Sequence, residues 1–312
     1  MQKLFHVCDG RVLDLQSAIS IPVSQECPLR IYANPDEAEK RALIQDLKID
    51  EHTLASALDP DELARIEFEP DHMAVILKRP KNYSAEDQYV FKVSSMGLFL
   101  FKDKLIIVAP EEMPPFEGRI FNKIASLQDL LLKIVWRTVT HYLEHLKIIN
   151  MISNEVETKI NKAMENRYLI NLFALEKGMV YYHNAIHSNA VVIEKLKVNA
   201  AKIGLTTENL EFLDDLVIEN SQCEKQAEIY SNVFASLMDA RVSVVNNNLN
   251  VLMKTLNLIT IAIMIPTLVV SAFSMNVNLP LLRHPYAFWI ILGLAAVSSA
   301  TVVLVWKLTS RK

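Results

Sequence analysis

Asn246, Asn250, Asn257, Thr260, Thr267, Ser271 and Ser274 recur at helical spacing through the most apolar part of this chain. They belong to two seven-residue series, Ser236, Ser243, Asn250, Asn257, Met264, Ser271 and Asn232, Asp239, Asn246, Met253, Thr260, Thr267, Ser274. At about 100° per residue, the members from Asn246 to Ser274 stay within an arc of about 120° on a helix. Amide and hydroxyl oxygens can hold water or a hydrated cation. They supply no acid, base or nucleophile, so the pattern points to binding or conduction rather than catalysis. In keeping with this, the chain has no phosphate-binding glycine loop, nucleophile elbow or triad. Two i,i+4 histidine pairs, His141/His145 and His183/His187, lack the HExxH pattern and a third ligand, and read as ordinary surface or core histidines. An enzyme is not expected.

Two readings of the row fit. Ser, Thr and Asn can hydrogen-bond between packed membrane helices. Alternatively, several copies of the helix surround an axis and the row lines a water-filled path, since polar groups in a membrane face the bundle interior or water. The row continues from a charged stalk into the apolar segment, which favours the second reading. One such hairpin cannot enclose a pore, so that reading requires an oligomer. The lining is neutral except for Asp239, and neutral oxygens above a carboxylate ring suit a hydrated cation. Met253, Leu256 and Met264 offer apolar constrictions that gate by dewetting. Magnesium sheds water reluctantly, so weak contacts through its water shell are the expected chemistry.

The positioning elements follow from hydropathy. Charges are dense to about residue 254; then 256–273 and 286–306 carry no ionisable side chain except Tyr286. Each run approaches the roughly 20 residues that a helix needs to cross hydrocarbon. The expected layout is a soluble part followed by a membrane hairpin, with spans at 256–275 and 287–306, a loop at 276–286 and a basic tail at 307–312. The first residues show no basic start followed by an apolar run, and basic residues gather before the first span and after the second. Both termini are therefore expected in the cytoplasm. Membrane lipid is an expected partner. Net charge −4 and the absence of a basic, aromatic-laced patch argue against nucleic acid. Cys8, Cys27 and Cys223 are scattered and read as reduced structural residues.

Residues 1–118 read as an α/β domain. "HMAVILKRP" and "YVFKVSS" are strand-like, and "GLFLFKDKLIIVAP" reads as two strands around a Lys-Asp-Lys turn. "NPDEAEKRALIQDLKI" reads as a helix, and "DPDELARIEFEP" as a helix ending in a strand. The interval 119–255 is helical, with stretches near 126–165 and 168–203. After a break at Gly204, Thr207 is the expected N-cap of a long stalk helix starting near 208. Leu216, Cys223, Tyr230, Leu237, Val244, Val251 and Leu258 form an apolar heptad series along it. That series fits helices packed along their length, or one amphipathic helix lying on its own domain.

These residues resemble the CorA-type magnesium transporters, whose signature is Gly-Met-Asn at the outer end of the first of two C-terminal membrane helices. The matching stretches are "PTLVVSAFSMNVNLPL", "HPYAFWIIL" and "GLFLFKDKLIIVAPEEMPPF", and the likeness spans essentially the whole chain. Ser274 stands where the family has glycine, a position at which glycine permits conformations that a side chain restricts. The resemblance implies a homopentameric funnel: a cytosolic αβα domain, stalk helices and two membrane helices per chain, in the plasma membrane of a bacterium or archaeon. It implies that Asn276, beside Met275 and Ser274, forms the ion-entry ring, that Asn250, Met253, Leu256, Met264 and Thr267 line the pore and that Asp239 sits at the inner mouth; the helical row itself adds Asn246, Asn257, Thr260 and Ser271 to the expected lining. It also implies a regulatory metal site between subunits at Asp215, with Asp214 or Glu211 sharing the role. Mg2+ is then cargo and regulatory ligand, with no tightly bound cofactor. Another divalent ion such as Zn2+ or Co2+, or a non-transporting scaffold or sensor of the same fold, is the alternative.

Overall fold

The computed structural model describes residues 2–8, 11–14, 28–83, 90–112, 116, 119–162, 166–275 and 284–309. The chain divides into two compact units, 1–238 and 239–312. Sequence alone had suggested boundaries at 118 and 255. In the structure the helices after 118 pack on the sheet, so 118 separates no compact units.

The first unit is built on a seven-stranded sheet in the order β2-β1-β3-β7-β6-β5-β4. The strands are β1 (Gln2–Cys8), β2 (Arg11–Asp14), β3 (Leu29–Ala33), β4 (Arg65–Phe68), β5 (His72–Pro80), β6 (Val93–Phe101) and β7 (Leu105–Ala109). Only β3 and β7 pair in parallel; the other neighbours are antiparallel. β6 and β7 flank the expected Lys102-Asp103-Lys104 turn, with the Phe101 N–H donating to the Lys104 carbonyl at 2.8 Å. The period-two alternation of strands splits the core by face. Tyr32, Ala74, Ile76, Phe99, Ile106 and Val108 meet helices α1 (Glu37–Gln45) and α2 (Glu51–Leu58) on one side. Ile31, Val75, Leu77, Leu98 and Ile107 meet the long helices α3 (Leu127–Lys162), α4 (Asn166–Val198) and α6 (Thr207–Phe273) on the other. The expected αβα layering is present. A short α5 (Ala200–Ile203) ends at Gly204, whose φ of +77° is the left-handed conformation glycine tolerates best.

Local chemistry sets the helix starts. Asp36 accepts hydrogen bonds from the N–H groups of Ala38 and Glu39, and the Glu39 carboxylate accepts from the Asp36 N–H: a reciprocal cap for α1. α2 corrects the sequence reading, because the helix lies at Glu51–Leu58 and not in "DPDELARI". Asp50 caps it by accepting from the Thr53 N–H, and beyond it Asp59 accepts from the Asp61 N–H in a turn. The N-cap of α6 is likewise Thr206, not Thr207. Thr206 Oγ1 accepts from the Asn209 N–H, and Asn209 Oδ1 accepts from the Thr206 N–H.

β4 pairs with β5 only as far as Ile76, leaving the next backbone groups of β5 without a strand neighbour on that side. Asn189 of α4 takes the strand's place: it accepts from the Lys78 N–H at 2.9 Å and donates to the Lys78 carbonyl at 2.7 Å. Close packing on the other face turns on Gly97. A Cβ there would lie 2.6 Å from the Ala57 Cβ of α2 and 2.9 Å from the Phe99 ring. Gly97→Val should cost about 3 kcal/mol, as overpacking of a filled core does. Thermal unfolding of the purified chain should show a midpoint lower by at least about 5 °C; an unchanged midpoint would mean that α2 is free to move aside.

The apolar heptad series of α6 has two fates. Its members Leu216 and Cys223 are buried on the first unit's own core, beside Leu213, Ala227 and Phe234, and Tyr230 and Leu237 pack against it, while Val244 and Val251 of the same series are exposed. Up to Met238 the helix therefore lies on its own domain. Asn220, between these residues, is buried and donates from Nδ2 to the Ile186 carbonyl of α4 at 3.4 Å.

Candidate functional site

The second unit contains the end of α6 and the helix α7 (Ala287–Thr309). Both are long and apolar enough to cross a membrane, and no residue of the apolar window of α6 is buried within the chain. Leu256, Ile259, Ile263 and Leu268 on α6, and Phe288, Trp289 and Leu304 on α7, are all exposed. Contiguous apolar exposure on this scale needs lipid or further protein to cover it.

Between residues 256 and 273 the half-buried residues of α6 are Leu258, Ala262, Ile265, Pro266, Val269 and Phe273, the side on which the Ala262 carbonyl meets Ser299 of α7. At about 100° per residue they occupy one arc of about 100°. Asp239, Asn246, Asn250, Met253, Leu256, Asn257, Thr260, Met264, Thr267, Ser271 and Ser274 are exposed. Their arc of about 120° is centred about 180° from the α7 seam. The hydrophilic row thus points away from its own hairpin partner. This bears on the two readings of the row, because none of its side chains bonds to α7 among the described residues.

The hydroxyls of the row turn their protons inward. Thr260 Oγ1 donates to the Leu256 carbonyl at 2.9 Å, Thr267 Oγ1 to the Ile263 carbonyl at 2.7 Å, and Ser274 Oγ to the Ser271 carbonyl at 2.9 Å. Each oxygen is left with lone pairs on the exposed side. A hydroxyl committed in this way presents an acceptor outward, the correct polarity for the waters around a cation. Met264 lies between the two threonines and is itself exposed. The helix ends at Phe273, with the Ser274 N–H still donating to the Val270 carbonyl at 3.1 Å. Ser274 is therefore accommodated in the last turn. Asn276 lies outside the described residues.

The three acids that the family resemblance links to a metal lie in the first unit, near the start of α6, where Leu213 and Leu216 turn inward and Glu211, Asp214 and Asp215 are exposed. Asp214 is bound to Lys197 of α4 at 2.8 Å, leaving Glu211 and Asp215 as the carboxylates facing outward. Among the described residues, no three His, Cys, Asp or Glu side chains gather in a metal-binding group. A metal held there would need further ligands from a second copy. The histidine pairs are committed elsewhere, His145 Nδ1 lying 2.7 Å from the Tyr182 hydroxyl and His187 Nδ1 2.8 Å from Glu224. One residue escaped the sequence reading. Ser299 of α7 donates to the Ala262 carbonyl of α6 at 3.1 Å, and the only sequence signal for it is the small polar pair Ser298-Ser299 inside an apolar run.

One long helix carries the chain from a layered α/β domain into a pair of apolar helices of membrane-spanning length, and the longer of the two bears an outward row of acceptors. Residues 31–308 match the family model for "CorA-like Mg2+ transporter protein", and the chain belongs to that family of divalent cation transporters. It is 25% identical over 285 residues to the cobalt/magnesium transport protein CorA of Methanocaldococcus jannaschii, covering 88% of each chain. The complete structure of the CorA magnesium transporter from that organism superimposes with a TM-score of 0.77 at 22% identity, over 98% of this chain and 97% of the other. The full-length CmaX protein gives 0.66 at 12% identity, over 98% and 96%. At those identities the structural likenesses establish the fold.

Proposed function

We propose that this chain forms a homopentameric, channel-like pathway that admits Mg2+ across a plasma membrane, with both termini in the cytoplasm. The observation that carries this reading is the placement of the acceptor row about 180° from the α7 seam, the face a central axis would use. Asn276, with Met275 and Ser274, forms the entry ring. The oxygens of Ser271, Thr267, Thr260, Asn257, Asn250 and Asn246 then hand on an ion that keeps its water shell. Asp239 supplies the charge at the inner mouth. Met264, Leu256 and Met253 are the collars at which water, and with it the ion, is excluded in the closed state. The name of the Methanocaldococcus relative adds Co2+ as a second candidate cargo. Asp215 and Glu211, exposed beside the Asp214–Lys197 pair, take part in a metal-sensing contact with a neighbouring copy; occupancy would stabilise the closed arrangement through differential affinity for the two states.

The test combines flux with the stoichiometry of the purified chain. Reconstituted liposomes with an inside-negative potential should take up Mg2+, and native mass measurement should give a five-chain particle. Cysteines at Thr260 and Thr267 should react with hydrophilic thiol reagents and block uptake, while cysteine at Ile259, on the flank of the helix, should not. Cys223 stays silent in this experiment, because it is buried and burial pushes its thiol up to about 12. Cys8 and Cys27 are changed to serine beforehand. A monomeric particle, or equal labelling at positions 259, 260 and 267, would overturn the proposal.

A further inference from the structure

Pro266 lies inside α6. Proline has no N–H, so a helix containing it loses the bond to the carbonyl four residues earlier, here Ala262. In the middle of a membrane an unpaired carbonyl is costly, because no water is at hand to satisfy it. The acceptor of the Ser299 hydroxyl is that same carbonyl, at 3.1 Å, and the pair is half-buried in the α6–α7 seam. The neighbouring serine behaves differently: Ser298 Oγ donates to Ala295 within its own helix at 2.7 Å.

We propose that Ser299 is a positioning residue for transport. Its hydroxyl replaces the hydrogen bond that Pro266 removes, and so fixes α7 on α6 at the level of the proline. Met264 and Thr267 flank Pro266 and lie on the opposite side of the helix, so the angle taken by α6 at Pro266 sets where the apolar collar and the acceptor above it stand relative to the axis. Proline leaves the helix able to bend, and Ser299 holds one bend. This inference rests on the transport reading for its consequence in flux, but not for the bond itself.

A double-mutant cycle on the full-length protein tests it. Ser299→Ala should lower Mg2+ uptake, normalised to folded oligomer, by about fivefold and should lower the melting midpoint, on the scale of one lost hydrogen bond. Ser299→Thr, which keeps the hydroxyl, should restore both; Ser298→Ala should leave both near wild type. In a Pro266→Ala background the backbone N–H of residue 266 returns and satisfies Ala262 internally. There Ser299→Ala should change neither uptake nor melting. Equal losses from Ser299→Ala in the two backgrounds would overturn the inference, as would wild-type behaviour of Ser299→Ala alone. If the wild type shows no uptake at all, the transport reading fails, and the melting arm of the cycle still decides whether Ser299 acts on the proline gap.

Discussion

Replacing Met264 by lysine is expected to reduce Mg2+ uptake at least a hundredfold while leaving the oligomer intact. Met264 is exposed on the face opposite α7, between the inward-bonded hydroxyls of Thr260 and Thr267. A flexible ammonium there reaches the axis, where each copy contributes one charge. A divalent ion about 6 Å from a single ammonium is repelled by about 5 kcal/mol at an effective dielectric of about 20. Each 1.4 kcal/mol is a factor of about ten in rate, so even a heavily screened ring exceeds a hundredfold. Met264→Leu keeps an apolar collar and should conduct within a few-fold of wild type. The measurement is initial uptake in liposomes at matched protein density, with oligomer integrity checked by native mass. Undiminished uptake in Met264→Lys would place this residue against lipid and move the pathway elsewhere.

Much of the second unit was legible because its signals are periodic and local. Hydropathy alone marks the hairpin, and counting by sevens finds the row that α7 leaves uncovered. The central strands were legible for a similar reason: β5, β6 and β7 are rich in β-branched and large apolar residues, and β6 and β7 meet at a charged turn. What was hidden depends on contacts distant in sequence. Asn189 substitutes for a missing strand beside Lys78, 111 residues away. Ser299 answers a proline 33 positions earlier, and neither residue type nor spacing announces the pairing. The helix α2 was missed for a local reason. Acid-rich "DPDELARI" has the composition of a first helical turn, yet Asp59 spends its carboxylate on the Asp61 N–H and holds a turn. The true helix, "EHTLASAL", is short and carries a buried threonine and serine that weaken its pattern. The heptad series was ambiguous because one repeat serves two surroundings, a protein core up to Leu237 and an exposed face from Val244 on.

The histidine pair on α3 carries the last prediction, a loss of stability in mild acid. His145 is buried, lies 2.7 Å from the Tyr182 hydroxyl, and is covered edge-on by the Phe91 ring at 5.8 Å; His141 packs against it with ring centroids 4.5 Å apart. Burial pulls His141 down to about 3, helped by its partner His145 and by Arg137 and Arg79. Burial likewise pulls His145 down to about 4, with Arg137 acting in the same direction and Glu144 against it. Both rings are therefore neutral in the folded protein at neutral pH, while in the unfolded chain they protonate near the ordinary value of about 6.5. Below that value the unfolded state binds more protons, so stability is full above about pH 6.5 and falls as pH drops toward the folded values. The slope approaches about 1.4 kcal/mol per pH unit for each ring once the pH is well below 6.5, which amounts to about 3 kcal/mol for the pair between pH 6.5 and 5. Melting of the purified chain should follow this fall, and His145→Gln should flatten it by about half even though the variant starts from a lower midpoint. A midpoint that does not move between pH 7.5 and 5 would mean that water reaches these rings and that the packing of α3 against α4 is looser than Tyr142 and Tyr182, both fully buried beside them, imply.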